Sequence, residues 1–178
     1  DLSILEKLCH HLQQKLLVDV TVPRLGLIKG DRIESLMKLL TKNATFEELK
    51  IPLFVVAVDI EQREEVVISK GSVAEAVRAS ISIPGIFIPK ILDGRTLVDG
   101  AVLNRVPIEV LRRAGADVVI GVDLKYGGMP QGAKPVKNIF DVILTSIDLL
   151  EQDKDYKNMA DVLIEPEVAH IGYADFHK

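Results

Sequence analysis

Pro52-Leu53-Phe54-Val55-Val56-Ala57-Val58-Asp59 is a continuous apolar run of strand length that ends on an acid. A run with no polar alternation predicts a strand covered on both faces, as in a layered α/β protein. A charged turn, Glu61-Gln62-Arg63-Glu64, leads into Glu65-Val66-Val67-Ile68-Ser69, which reads as its antiparallel partner.

Upstream of this hairpin, Leu5, Leu8, Cys9, Leu12 and Leu16 recur at helical spacing and predict an amphipathic helix over residues 2 to 18. Pro23 and Gly26 break that pattern. Gly30-Asp31 then opens a second helix with Ile33, Leu36, Met37 and Leu40 on its apolar face. Asp31 is the expected N-cap, with Glu34 completing a capping box.

Downstream, Ser72 is placed to cap a helix from Val73 that dissolves at Ile83-Pro84-Gly85. After a turn at Asp93-Gly94-Arg95, Thr96 to Val98 form a short strand reaching Asp99. Pro107 starts a helix from Ile108 to Ala114, closed by Gly115. Val118 to Leu124 reads as a second buried strand and Tyr126 to Pro135 as a loop rich in Gly and Pro. Residues 138 to 157 read as a long helix with Ile139, Val142, Ile143, Ile147 and Leu150 inward. Val162 to Glu165 is a last buried strand, ended by Pro166. Helices alternating with buried strands predict an α/β fold layered around a mainly parallel sheet, in one domain with no internal repeat.

Composition narrows the function classes. The 178 residues are 48% hydrophobic with a net charge of −4, which suits a globular domain with a sizeable core. No basic block or interleaved aromatic stripe marks a nucleic-acid partner. Cys9 is the single cysteine, so neither a disulfide framework nor a cysteine-ligated zinc is expected, and a reducing cytoplasm fits best. No apolar run approaches the roughly 18 residues of a membrane span, so any membrane contact would be peripheral. His10 and His11 diverge by about 100° on a helix, and His170 and His177 have no carboxylate or cysteine at metal spacing. Neither a metal nor a cofactor is expected. Oligomeric state is open.

The stretch richest in chemical meaning is Leu97-Val98-Asp99-Gly100-Ala101. An acid at a strand end, followed by a glycine turn, is exposed while the sheet holds its geometry. Asp-Gly also marks ordinary turns, so its neighbours must decide. Ala76 to Pro89 resembles the Ala-Ser-x-x-Ile-Pro-Gly-x-Phe-x-Pro segment of the bacterial patatin-like phospholipases. Leu97 to Ala101 is similar to that family's Asp-Gly-Gly/Ala motif, and Asn104 to Ile108 to its Asn-x-Pro-Val continuation. Ile51 to Asp59 and Ala114 to Asp123 resemble its core strand and the strand after the motif. The resemblance covers Ile51 to Leu124, with the pieces in family order.

The resemblance implies a three-layer α/β/α fold and hydrolysis of lipid acyl esters by a Ser-Asp dyad, with no catalytic histidine and no cofactor. Asp99 takes the place of the dyad aspartate, Gly100 permits the turn that aims it, and Ala101 is the small residue the family accepts there. The implied partner is a lipid or fatty-acyl ester. The sequence departs from the family in one respect: it has no Gly-x-Ser-x-Gly nucleophile elbow and no Gly-rich oxyanion segment. The expectation is therefore a patatin-like domain truncated at the N-terminus and also at the C-terminus, whose serine lies upstream and which alone does not turn over esters. A non-catalytic lipid- or partner-binding module that keeps the fold is the alternative, and an unrelated α/β domain is a weaker third.

Other candidates read as structure. Ser80 and Ser82 lack elbow glycines, and Gly71-Ser72 lacks the rest of that motif. Asp59 and Asp123 share the strand-end position of Asp99 but are expected to hydrogen-bond neighbouring turns. Asp93 belongs to a turn. Gly127-Gly128 lacks the lysine of a phosphate loop.

Overall fold

The computed structural model describes residues 17–21, 25–124, 139–150 and 159–166, together with Ser3, Lys7 and Val168. In chain order its elements are β1 (Gly26–Ile28), α1 (Asp31–Leu40), β2 (Val55–Asp59), β3 (Glu64–Ile68), α2 (Val73–Ser80), β4 (Gly85–Phe87), β5 (Lys90–Leu92), β6 (Arg95–Asp99), α3 (Ile108–Arg113), β7 (Ile120–Val122), α4 (Ile139–Leu150) and β8 (Val162–Ile164). The fold is α/β. Of the helix expected over residues 2 to 18, Ser3, Lys7 and Leu17 are described and helical. Residues 125–138 and 151–158, which include Gly127-Gly128 and the last part of the helix expected over residues 138 to 157, lie outside the described residues.

The run ending at Asp59 becomes β2, and all five of its residues are buried. It lies inside a four-stranded sheet of order β3-β2-β6-β5. The expected antiparallel partner is β3, with Val55 opposite Ile68 and Asp59 opposite Glu64. On its other side β2 meets β6, which places Ala57 opposite Asp99. This sheet is antiparallel throughout, while parallel pairing joins β1 to β4 and β7 to β8. The β2–β3 and β5–β6 pairings follow from short returns. Asp93 and Gly94 both have positive φ, 50° and 74°, as a two-residue type I′ hairpin between β5 and β6 requires.

One face of the four-stranded sheet is covered by α2. Its small residues Ala74, Ala76 and Ala79 are fully buried, which lets the helix approach closely, and Ala79 packs with Ala57 and Leu97. The Ser72 hydroxyl accepts from Glu75 N at 3.4 Å, so the expected cap forms. Pro107 precedes α3, and Gly115 follows it at φ 94°.

Two local expectations need correction. The cap of α1 is Gly30, with φ 82°, and the acceptor comes from a distance. Asp19 receives Gly30 N at 2.7 Å on one oxygen and Asp31 N at 2.9 Å on the other. Glu34 turns away to pair with Lys38 and Lys90, each at 2.7 Å. The second correction concerns burial. Continuous apolar runs predict that β7 and β8 are covered on both faces, but Ile120, Val122, Val162 and Ile164 are exposed. Among the described residues, the face of Gly121 and Leu163 is the packed one, against Ile108 and Ala160. Among the described residues, no helix is long and apolar enough to cross a membrane.

Candidate functional site

Asp99 is the last residue of β6, where the chain leaves the sheet into a single 3-10 turn over Gly100–Val102. Its carboxylate folds back on that turn, and Oδ1 accepts from Ala101 N at 2.9 Å. Its backbone N–H donates to Ser82 O at 3.0 Å. Gly100 is buried against β2, and a Cβ there would collide with the Val56 carbonyl. Its role is therefore close approach of two backbones rather than a left-handed conformation. Gly100 O then accepts from Asn104 N at 2.8 Å, which closes the turn. The Asn104 side-chain amide donates to Glu65 on β3 and ties the segment after the motif to the sheet edge.

The electrostatics of Asp99 oppose one another. Burial pushes its carboxyl above the ordinary value of 3.8, while the Ala101 N–H and the Arg105 charge pull it back. A carboxylate raised in this way is a better proton acceptor near neutral pH. Arg105 also faces Asp123, with Nε 3.7 Å from its Oδ1. Asp123 lies just past β7 and is 1% exposed.

The remaining candidates fall where their surroundings satisfy them. Oδ1 of Asp59 accepts from Glu61 N and Gln62 N, both at 3.1 Å, so this acid organises the hairpin turn as expected. Ser80 donates to Val56 O at 2.7 Å. Ser82 is fully buried, donates to Arg78 O at 2.8 Å and accepts from the Arg78 guanidinium. Neither hydroxyl stands at an elbow. Cys9, His10, His11, His170 and His177 lie outside the described residues. Among the described residues, no three His, Cys, Asp or Glu side chains cluster as metal ligands. Sequence reasoning overlooked Arg78 and Arg105. Arg105 sits inside the motif continuation as the residue between Asn104 and Val106, so its position alone could have drawn attention.

Residues 5–112 match the family model of the patatin-like phospholipases. The chain belongs to the patatin-like phospholipase family. The match begins well before Ile51 and takes in Asp99, Gly100, Ala101 and Arg105. The chain is also similar to an uncharacterized NTE family protein of Mycobacterium tuberculosis, 31% identical over 183 residues, 89% of this chain and 31% of that protein. A second uncharacterized NTE family protein, from Mycobacterium bovis, is 32% identical over 121 residues, 67% of this chain and 34% of its own length. Patatin-like phospholipase domain-containing protein 7 of Mus musculus is 34% identical over 113 residues, 62% of this chain and 8% of its own length. The chain thus spans about a third of the mycobacterial relatives and a smaller part of the mouse protein.

Proposed function

We propose that this patatin-like domain hydrolyses acyl esters of lipids, with Asp99 as the base of a Ser-Asp dyad whose serine lies in the polypeptide upstream of these 178 residues. The observation that carries the reading is the placement of Asp99. It is a partly buried carboxylate at a strand-end turn, held through one oxygen by Ala101 N, within the span that matches the phospholipase family and in the Asp-Gly-Ala stretch whose resemblance implies the dyad aspartate. In the reaction the serine oxygen attacks the ester carbonyl carbon while Asp99 takes the hydroxyl proton. The tetrahedral intermediate collapses, the C–O bond to the alcohol breaks, and Asp99 returns the proton to the leaving oxygen. Water, deprotonated by the same carboxylate, then attacks the acyl-serine, the acyl C–O bond to serine breaks, and Asp99 returns the proton to the serine oxygen as the fatty acid leaves. These residues contain the base and no Gly-x-Ser-x-Gly nucleophile, so the proposal assigns no turnover to them alone.

The test is Asp99→Asn in the full-length protein, assayed on a nitrophenyl ester and on phospholipid vesicles. The amide keeps the Ala101 contact but cannot take a proton, and loss on the order of 10³-fold or more in kcat is expected with the fold intact. Wild-type-like hydrolysis by the variant removes Asp99 from the mechanism. Absence of any fluorophosphonate-labelled serine in the wild-type full-length protein favours a binding module instead.

A further inference from the structure

Two buried polar side chains take no part in this chemistry. Arg78 lies in the last turn of α2 and is 3% exposed, and Ser82 lies two residues beyond the helix. A guanidinium withdrawn from water is costly unless its donors are satisfied. Here Nη1 donates to Ser82 Oγ, and Nη2 donates to Ile88 O at 2.8 Å and to Lys29 O. The group also lies 5.5 Å from the centre of the Phe87 ring. Room for it is reserved by Gly30, where a Cβ would run into the guanidinium and the backbone has φ 82°. Arg78 therefore binds both ends of the 82–88 segment, which carries β4, to the residue that follows β1.

Ser82 links this clamp to the site. Its hydroxyl is gripped by Arg78 while its carbonyl accepts the backbone N–H of Asp99 at 3.0 Å. Every contact from the guanidinium to the carboxylate-bearing residue is a hydrogen bond between buried or partly buried groups. Acceptors that are neutral and come from two chain segments, 82–88 and the residue after β1, suit a device for fixing geometry. We propose that Arg78 is a positioning residue for Asp99, acting through Ser82, so that the clamp sets where the Asp99 carboxylate points. The inference rests on the reading of Asp99 as the base.

The experiment uses full-length protein, with active sites counted by complete fluorophosphonate labelling. Ser82→Ala removes the hydroxyl that Arg78 grips and leaves Asp99 and Ala101 untouched. Misplacement of a catalytic group by about 1 Å can cost on the order of 10²-fold, so a loss of roughly tenfold in kcat per labelled site is expected, with KM within about twofold. Gly30→Ala displaces the guanidinium from its other side and is expected to lower kcat per labelled site in the same way. A purely structural clamp gives a different result. Both variants then show fewer labelled sites, each turning over at the wild-type rate, and that outcome overturns the inference. Asp99→Asn in parallel separates the two failures, since full activity in that variant defeats the reading of Asp99 itself.

Discussion

Asp59 and Asp99 end neighbouring antiparallel strands, and their carboxylates differ in burial and in the number of turn N–H groups they accept. Asp59 is 2% exposed, gives one oxygen to two turn N–H groups, and has Arg95 4.0 Å from the other. Asp99 is only partly buried, and among the described residues its hydrogen bonding is confined to one oxygen. The first is withdrawn from solvent and takes two N–H groups of its own turn. The second stays partly exposed and, among the described residues, its carboxylate takes a single N–H. A strand-end acid is therefore told apart by how much of its hydrogen-bonding capacity the fold consumes.

The comparison breaks first on activity. Asp99→Asn should abolish hydrolysis as described above, whereas Asp59→Ala should leave kcat per labelled site unchanged. The cost of Asp59→Ala falls on stability: two turn N–H groups lose their acceptor, for about 1–3 kcal/mol, read as a lower Tm. Gly100→Ala tests the other turn. Its Cβ meets the Val56 carbonyl with no room to move, and overpacking of this kind costs about 1–3 kcal/mol and displaces Asp99. Both Tm and kcat per labelled site should fall, in contrast to Asp59→Ala.

The smallest effect sharpens the electrostatic side. Asp99 must be ionised to act as base, burial raises its pKa, and the Arg105 charge opposes that rise. Removing the charge with Arg105→Ala lets the pKa climb further, so the acid limb of the kcat/KM profile should move to higher pH. Arg105→Lys keeps the charge and should leave the limb near its wild-type place.

Much of the fold was legible because its signals are local. The Ser72 cap, the Pro107 start, the Gly115 stop and the β2–β3 hairpin each depend on residues a few positions apart. Asp99 stands out as a candidate through its motif alone. The cap of α1 was not, because Asp19 reaches it across 11 or more residues. The short strands β1, β4 and β5 were also missed. β1 and β4 form by long-range pairing, with Gly26 opposite Gly85 and Ile28 opposite Phe87, and β1 also meets Val20 across Ile28. The Asp93-Gly94 pair was read as a turn without its hairpin, although β5 lies directly before it.

By itself the amino-acid sequence determined the α/β class, the boundaries set by proline, glycine and serine, and the family to which Asp99 belongs. Periodicity and turn chemistry act over one or two turns of chain, and a motif needs only order and spacing. The tertiary structure alone decided that Asp59 is withdrawn from solvent while Asp99 stays partly exposed. It also decided that Arg78 grips Ser82 and that Ser82 holds Asp99. Those outcomes depend on burial and on contacts between segments as far apart as Lys29 and Arg78, where no local pattern reaches.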